Sequence, residues 1–107
     1  MPDARDLYKQ GFARFANDEL DEAIALYRQA IEADPKLAIA WNGLSIALAQ
    51  QGHFDEAVEA ARKLIELEPD EALSHTNLSR ILMQQGRIPE AEDARAAAMQ
   101  LQMKQQR

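Results

Sequence analysis

The chain has 107 residues, of which 47% are hydrophobic and 28% are charged, with no cysteine and a net charge of −6. These values are ordinary for one globular domain or one short repeat array. The negative charge argues against nucleic acid as a partner, because phosphate contacts need cationic side chains. The absence of cysteine excludes disulfides and thiolate metal sites, and it is compatible with a reducing compartment.

The N-terminal segment lacks the features of a secretory signal. Asp3, Arg5 and Asp6 interrupt it with charge, and no apolar run in the chain approaches the roughly 20 residues that a membrane span needs. We therefore expect a cytoplasmic protein with no membrane partner.

The sequence repeats with a period of 34 residues. A shift of 34 superimposes Gln50-Gln51-Gly52 on Gln84-Gln85-Gly86. The repeating units are residues 4–37, 38–71 and 72–105, within a single domain of residues 1–107. A fixed period of this size indicates a stacked array, in which each unit buries its apolar face against its neighbours.

Within each unit, apolar residues recur with the period of an α-helix. In the middle unit, Trp41, Leu44 and Leu48 share one helix face. Residues suited to helix ends separate the helices: Asp18, Pro35, Gly52, Pro69 and Gly86. We predict six helices, near residues 4–17, 20–33, 37–51, 54–67, 71–85 and 88–105.

This pattern resembles the tetratricopeptide repeat (TPR), whose unit reads W-x2-L-G-x2-Y, then A-x3-F, then P. The middle unit supplies Trp41, Leu44, Ser45, Ala57 and Pro69. The third unit departs from the pattern, with His75 at the Trp position and Met103 at the Pro position. The resemblance implies an all-α fold, a right-handed α-solenoid of three helix-turn-helix TPR units.

The two ends of the array differ from its interior. Tyr27 and Ala61 should face the next unit, whereas the equivalent residue of the third unit is Arg95. At the other end, Gln10 and Arg14 replace the leucines that face backward in later units. Because an unpaired charge is costly to bury, we expect both ends to face water and three repeats to be the whole array.

The sequence offers no convincing catalytic or metal site. His53 and His75 are its only histidines, and Glu71 with His75 supplies two ligands where zinc needs three or four. The four glycines form no phosphate-binding loop, and the serines lack a neighbouring base with an orienting carboxylate. We expect no enzyme activity, no metal and no cofactor.

The resemblance also implies that the first helices of the units line a concave groove for a peptide or a partner helix. It assigns ten residues to this groove: Tyr8, Phe12, Phe15, Ile39, Asn42, Ile46, Leu73, Asn77, Arg80 and Met83. Gly43 is expected to open room beside Asn42. Because the lining is mostly apolar, an amphipathic helix or apolar segment fits best. Burial of the aromatic residues against neighbouring helices is the alternative to their exposure.

One binding mode of the family does not fit this sequence. Chaperone-associated TPR proteins hold an acidic C-terminal peptide in a carboxylate clamp of Lys, Asn and Arg side chains. The five clamp positions here hold Tyr8, Phe12, Gly43, Leu73 and Asn77. We therefore expect no carboxylate-clamp recognition of acidic C-termini, since the charge partners of the carboxylates are missing.

Two functions remain open. The first is a non-enzymatic adaptor or co-chaperone-like scaffold, whose groove binds an apolar or helical segment of another protein. The alternative is a self-associating structural protein that forms a homodimer through its last helix. Met99, Leu101 and Met103 are the candidate contacts, because no later unit covers them.

Overall fold

The computed structural model describes residues 2–106, which form six α-helices and no strand. The helices are α1 (Ala4–Ala16), α2 (Leu20–Ala33), α3 (Ala38–Gln50), α4 (Phe54–Leu67), α5 (Ala72–Gln85) and α6 (Ile88–Gln105). The six predicted helices are confirmed, and no end differs by more than one residue. Met1 and Arg107, which the predicted single domain includes, lie outside the described range.

The same tight turn joins the two helices of every unit. Its central residue is left-handed in each case, with φ of 63° at Asp18, 84° at Gly52 and 86° at Gly86. Glycine adopts this conformation without strain, and aspartate tolerates it better than most residues. One residue later, a backbone N–H donates to a carbonyl five residues back, over 2.9 Å in all three turns. The predicted helix ends at these residues therefore rest on local conformation.

The helices stack in chain order into a helical solenoid, as the sequence predicts. Each helix contacts the next along the chain. The helices pair within the units as α1–α2, α3–α4 and α5–α6, and neighbouring units pack against one another. Ala23, Ala57 and Ala91 occupy equivalent positions of the second helices and are fully buried. Their small side chains let the helices approach closely, and the core continues from one unit into the next.

Equivalent hydrogen bonds join the units at both junctions. The amide of Gln51 donates to Asp21 Oδ1 over 2.5 Å, and the amide of Gln85 donates to Asp55 Oδ1 over 2.6 Å. Each bond runs from the end of a first helix to the second helix of the preceding unit. The repeat in sequence is thus also a repeat in contacts.

His75 performs the same bonding role as the tryptophan it replaces. The indole N–H of Trp41 donates to the carbonyl oxygen of Pro35 over 2.8 Å. In the next unit, the Nε2–H of His75 donates a hydrogen bond to the carbonyl oxygen of Pro69 over 3.0 Å. The departure from the TPR pattern at His75 therefore keeps the hydrogen bond that ties a first helix to the preceding loop.

Candidate binding groove

The predicted groove residues lie on α1, α3 and α5, the first helices of the three units. Helix α1 contacts α3, and side-chain hydrogen bonds connect α3 to α5. Four large apolar side chains are exposed at groove positions: Phe12 (53%), Ile39 (40%), Leu73 (69%) and Met83 (46%). Ile46 is half-buried between the two ends of this row.

The aromatic residues of α1 differ in exposure. Tyr8 stacks on Tyr27 with ring centroids 5.7 Å apart, and its centroid lies 6.2 Å from that of Phe12. Tyr8 and Phe15 are half-buried and pack against the core, whereas Phe12 is mostly exposed. Of the three aromatic residues, Phe12 therefore presents the most surface to the groove.

Gly43 accommodates the ring of Tyr27, a contact that the sequence analysis did not predict, and it also lines a cleft together with Asn42. The Tyr27 ring is buried between α1 and α3, and a Cβ on Gly43 would lie 2.8 Å from its Cζ. A Cβ on Gly11 would lie equally close to the ring from the other side. Burial, with a smaller contribution from Tyr8, raises the pKa of Tyr27 to about 12. Both glycines thus accommodate a core side chain.

The polar side of the groove is bonded within the protein. The Asn77 amide donates to Asn42 Oδ1 over 3.1 Å and to Ser45 Oγ over 3.0 Å. The Ser45 hydroxyl in turn donates to the Asn42 carbonyl oxygen over 2.8 Å. This network links α3 to α5, and it engages the amide of Asn77, one of the predicted groove residues.

Arg80 lies at the end of the groove formed by the third unit. It borders an open depression of about 740 Å³ whose lining is Thr76, Ser79, Arg80, Met83, Gln84 and Arg95. Sequence analysis assigned Arg80 to the groove and Arg95 to the end of the array, and missed that they share one depression. The signal was the position of each arginine in the 34-residue unit, where the earlier units have uncharged residues.

The residues predicted for self-association lie on α6, away from the groove. Met99 and Met103 are exposed, at 53% and 62%, and stand one helical turn apart. Leu101 is half-buried. The predicted patch therefore consists mainly of the two methionines.

The structure adds two negative findings for residues 2–106. In that range, no cluster of three His, Asp or Glu side chains is placed to hold a metal ion. Over the same residues, no helix combines the length and apolar character of a membrane span.

A family model for the tetratricopeptide repeat matches residues 14–76 and 48–107 of the chain. Together with the six-helix solenoid, this match shows that the chain belongs to the TPR family. The TPR fold supports a role as a scaffold for protein–protein interaction, and members of the family are generally non-enzymatic interaction modules. No curated protein sequence matches the chain.

Solved structures share this fold closely. A crystal structure of MamA superimposes with a TM-score of 0.92 at 26% identity, over 96% of this chain and 60% of that one. The first TPR domain of RPAP3, bound to the HSP90 peptide SRMEEVD, gives 0.87 at 19% identity, over 92% and 78%. A chain of the CopN–Scc3 complex gives 0.87 at 18% identity, over 92% and 58%. The chain thus spans about 60% of the MamA chain.

Proposed function

We propose that residues 1–107 act as a single TPR domain whose concave groove binds an apolar or amphipathic helical segment of another protein. The protein would then serve as an adaptor or co-chaperone-like scaffold. The observation that carries this proposal is the row of exposed apolar side chains on the first helices: Phe12, Ile39, Leu73 and Met83. Several large apolar side chains exposed on one set of helices are typical of an interaction site.

The chemistry of the groove favours side-chain contacts over recognition of an extended backbone. An extended peptide needs free donors and acceptors along its path, but the Asn77 amide is engaged with Asn42 and Ser45. A helix satisfies its own backbone and offers apolar anchors at i, i+3, i+4 and i+7. Phe12, Ile39 and Leu73 provide apolar contacts for such anchors on three successive first helices.

The five positions of the family's carboxylate clamp support the same choice. Leu73 and Phe12 are exposed and apolar there, Gly43 has no side chain, and none of the five residues is cationic. We propose that acidic C-terminal peptides, such as the one in the RPAP3 complex, are not ligands of this groove. A carboxylate without a cationic partner would gain little from these side chains.

The test is a comparative capture of proteins from a lysate of the cells that produce the chain. The double variant Phe12→Asp/Leu73→Asp changes two exposed groove residues without touching the core, so circular dichroism should match the wild type. We expect proteins retained by the wild type to be lost, because charge replaces the apolar anchors. Photo-crosslinking from position 12 then identifies the bound segment, with an affinity expected near the micromolar range.

Ile88→Asp is the matched control, because Ile88 has similar exposure but lies at the start of α6, outside the groove lining. This variant should capture the same proteins as the wild type. Equal capture by the groove variant and the wild type would contradict the proposal. So would a crosslinked segment that binds equally well after the groove substitutions.

The exposed methionines of α6 favour a second candidate, self-association through Met99 and Met103. In that case sedimentation velocity should detect a dimer for the wild type, and Met99→Glu/Met103→Glu should convert it to a monomer. The groove variant should leave the dimer intact. A wild type that stays monomeric at about 100 μM, where even weak contacts form, would exclude this candidate.

A further inference from the structure

The depression bordered by Arg80 and Arg95, here called the open end of the third unit, differs in charge from the equivalent places of the first two units. We number the positions of each unit from its first residue, which is 4, 38 or 72. Position 9 then holds Phe12, Ile46 and Arg80, and position 24 holds Tyr27, Ala61 and Arg95. Both positions are therefore uncharged in the first two units and cationic in the third. The two arginines line the same depression.

The equivalent cleft of the first unit shows which helix borders these positions inside the array. Its lining includes Tyr8, Phe12, Phe15 and Tyr27, at the same unit positions as Thr76, Arg80, Met83 and Arg95 of the open depression. Helix α3 supplies the other wall of this cleft through Asn42, Gly43 and Ile46. By this equivalence, the positions that line the depression of the third unit are those that face the first helix of the next unit at the first junction.

The first interior junction also shows which residue of the next helix meets position 24. Gly43 of α3 lies directly against the Tyr27 ring, close enough that its Cβ would be 2.8 Å from Cζ. Asn77 is the equivalent residue of α5, and it bonds Asn42 and Ser45 of the preceding unit. A helix docked at the open end in the same way would place its own equivalent residue beside Arg95.

We propose that this open end binds a helix of a partner protein that carries an Asp or Glu at the position equivalent to Gly43 and Asn77. Its carboxylate would accept hydrogen bonds from the Arg95 and Arg80 guanidinium groups. Neither arginine takes part in an ion pair with any residue from 2 to 106. Met83 adds apolar contact beside them. This site goes beyond the proposed groove function, because Arg95 is not a groove residue.

A second copy of this chain does not fit the open end of the third unit. The first helix of that copy would present Lys9 at the position equivalent to Gly43 and Asn77. Lys9 would then face Arg95, and like charges across an interface are unfavourable. Charge complementarity therefore selects a different protein with an acidic residue at this point.

The test uses a helical peptide built on the protein's own docking helix. The peptide has the sequence of residues 72–86 with Asn77→Glu. A lactam bridge joins positions 80 and 84, both of which are exposed in the protein. A matched peptide carries Asn77→Gln, which differs only in charge. Fluorescence anisotropy measures the binding of each peptide to the full chain.

We expect the Glu peptide to bind about tenfold more tightly than the Gln peptide at low ionic strength. The preference should fall below about twofold for the Arg95→Gln chain and shrink in about 0.5 M NaCl, where charges are screened. The Arg80→Gln chain should show an intermediate preference. Arg62→Gln is the matched control, because Arg62 lines a different depression with His75 and Glu90, and it should keep the full preference.

Three outcomes would overturn the proposal: no binding of the Glu peptide at about 1 mM, equal binding of both peptides, or a Glu preference that survives Arg95→Gln. A wild-type dimer abolished by Arg95→Gln would also overturn it, since a second copy would then be the occupant. The groove variant Phe12→Asp/Leu73→Asp should keep the Glu preference. Failure at the groove and failure at the open end are therefore distinguishable.

Discussion

The array has two interior junctions, one between the first and second units and one between the second and third. The two junctions divide the side-chain volume differently between the helices that meet there. At the first junction, the large Tyr27 ring on α2 meets Gly43 on α3, which has no side chain. At the second, the residue equivalent to Tyr27 is the small, buried Ala61 on α4, and the residue equivalent to Gly43 is Asn77 on α5. The first junction thus pairs a large side chain with a residue that has none, and the second pairs a small side chain with one of medium size.

This difference shows that a repeat constrains the pair of residues across a junction more than either residue alone. Protein interiors are close-packed, so a ring on one helix requires a gap on the other. The second junction also replaces apolar contact with hydrogen bonds from Asn77 to Asn42 and Ser45. The first junction should therefore be sensitive to volume, and the second to loss of polar partners.

The largest effect is expected from Tyr27→Ala, which empties the first junction. Removing a fully buried aromatic ring should lower the free energy of unfolding by about 3–5 kcal/mol. Urea denaturation followed by circular dichroism at 222 nm measures this change. The equivalent substitution at the second junction, Ala61→Gly, removes one methyl group and should cost about 1 kcal/mol. Similar losses for the two variants would contradict the proposed difference between the junctions.

An intermediate effect is expected from Gly43→Ala, which adds one methyl group at the first junction. The new Cβ would lie 2.8 Å from Tyr27 Cζ, so a rigid buried ring must move. Although alanine favours helix, we expect a net loss of about 1–3 kcal/mol in the same urea experiment. In a Tyr27→Leu background, where the ring is gone, Gly43→Ala should become neutral or stabilising.

Asn77→Ala is the matched comparison at the second junction. It removes two hydrogen bonds but relieves no clash, and it should cost only about 1 kcal/mol. A stabilising Gly43→Ala in the wild-type background would show that the first junction is not close-packed around Tyr27.

The smallest effect is expected from Tyr27→Phe, and it depends on pH. Burial raises the Tyr27 pKa from 10.0 to about 12, so the unfolded chain releases this proton first as pH rises. The native state therefore binds the proton in a range where the unfolded state has lost it, and stability falls between about pH 10 and 12. Below pH 10 this contribution is fully present.

Urea denaturation of both proteins between pH 8 and 12 checks this prediction. The free energy of unfolding should fall more steeply for the wild type than for Tyr27→Phe above about pH 10. The titration of other groups is common to both proteins and cancels in the difference. Parallel pH profiles would show that Tyr27 ionises as readily in the folded protein as in the unfolded chain.

The amino-acid sequence alone determined the helices, the turns and the family of this protein. These features are local: the apolar period marks each helix, Gly52 and Gly86 supply the left-handed turns, and Pro35 and Pro69 end second helices. Asp18 was predicted to end α1 by its place in the repeat, and its φ of 63° confirms this. The resemblance to the TPR family then implied ten groove positions.

Only the tertiary structure decided how those positions are used. It placed the Tyr27 ring against Gly43, buried parts of Tyr8 and Phe15, and engaged the Asn77 amide inside the protein. It also brought Arg80 and Arg95 to one depression, although they lie on different helices. The physical reason is that local patterns specify which face of a helix is buried. Which side chains meet across two helices depends instead on their volumes, their hydrogen bonds and the neighbours present at each junction.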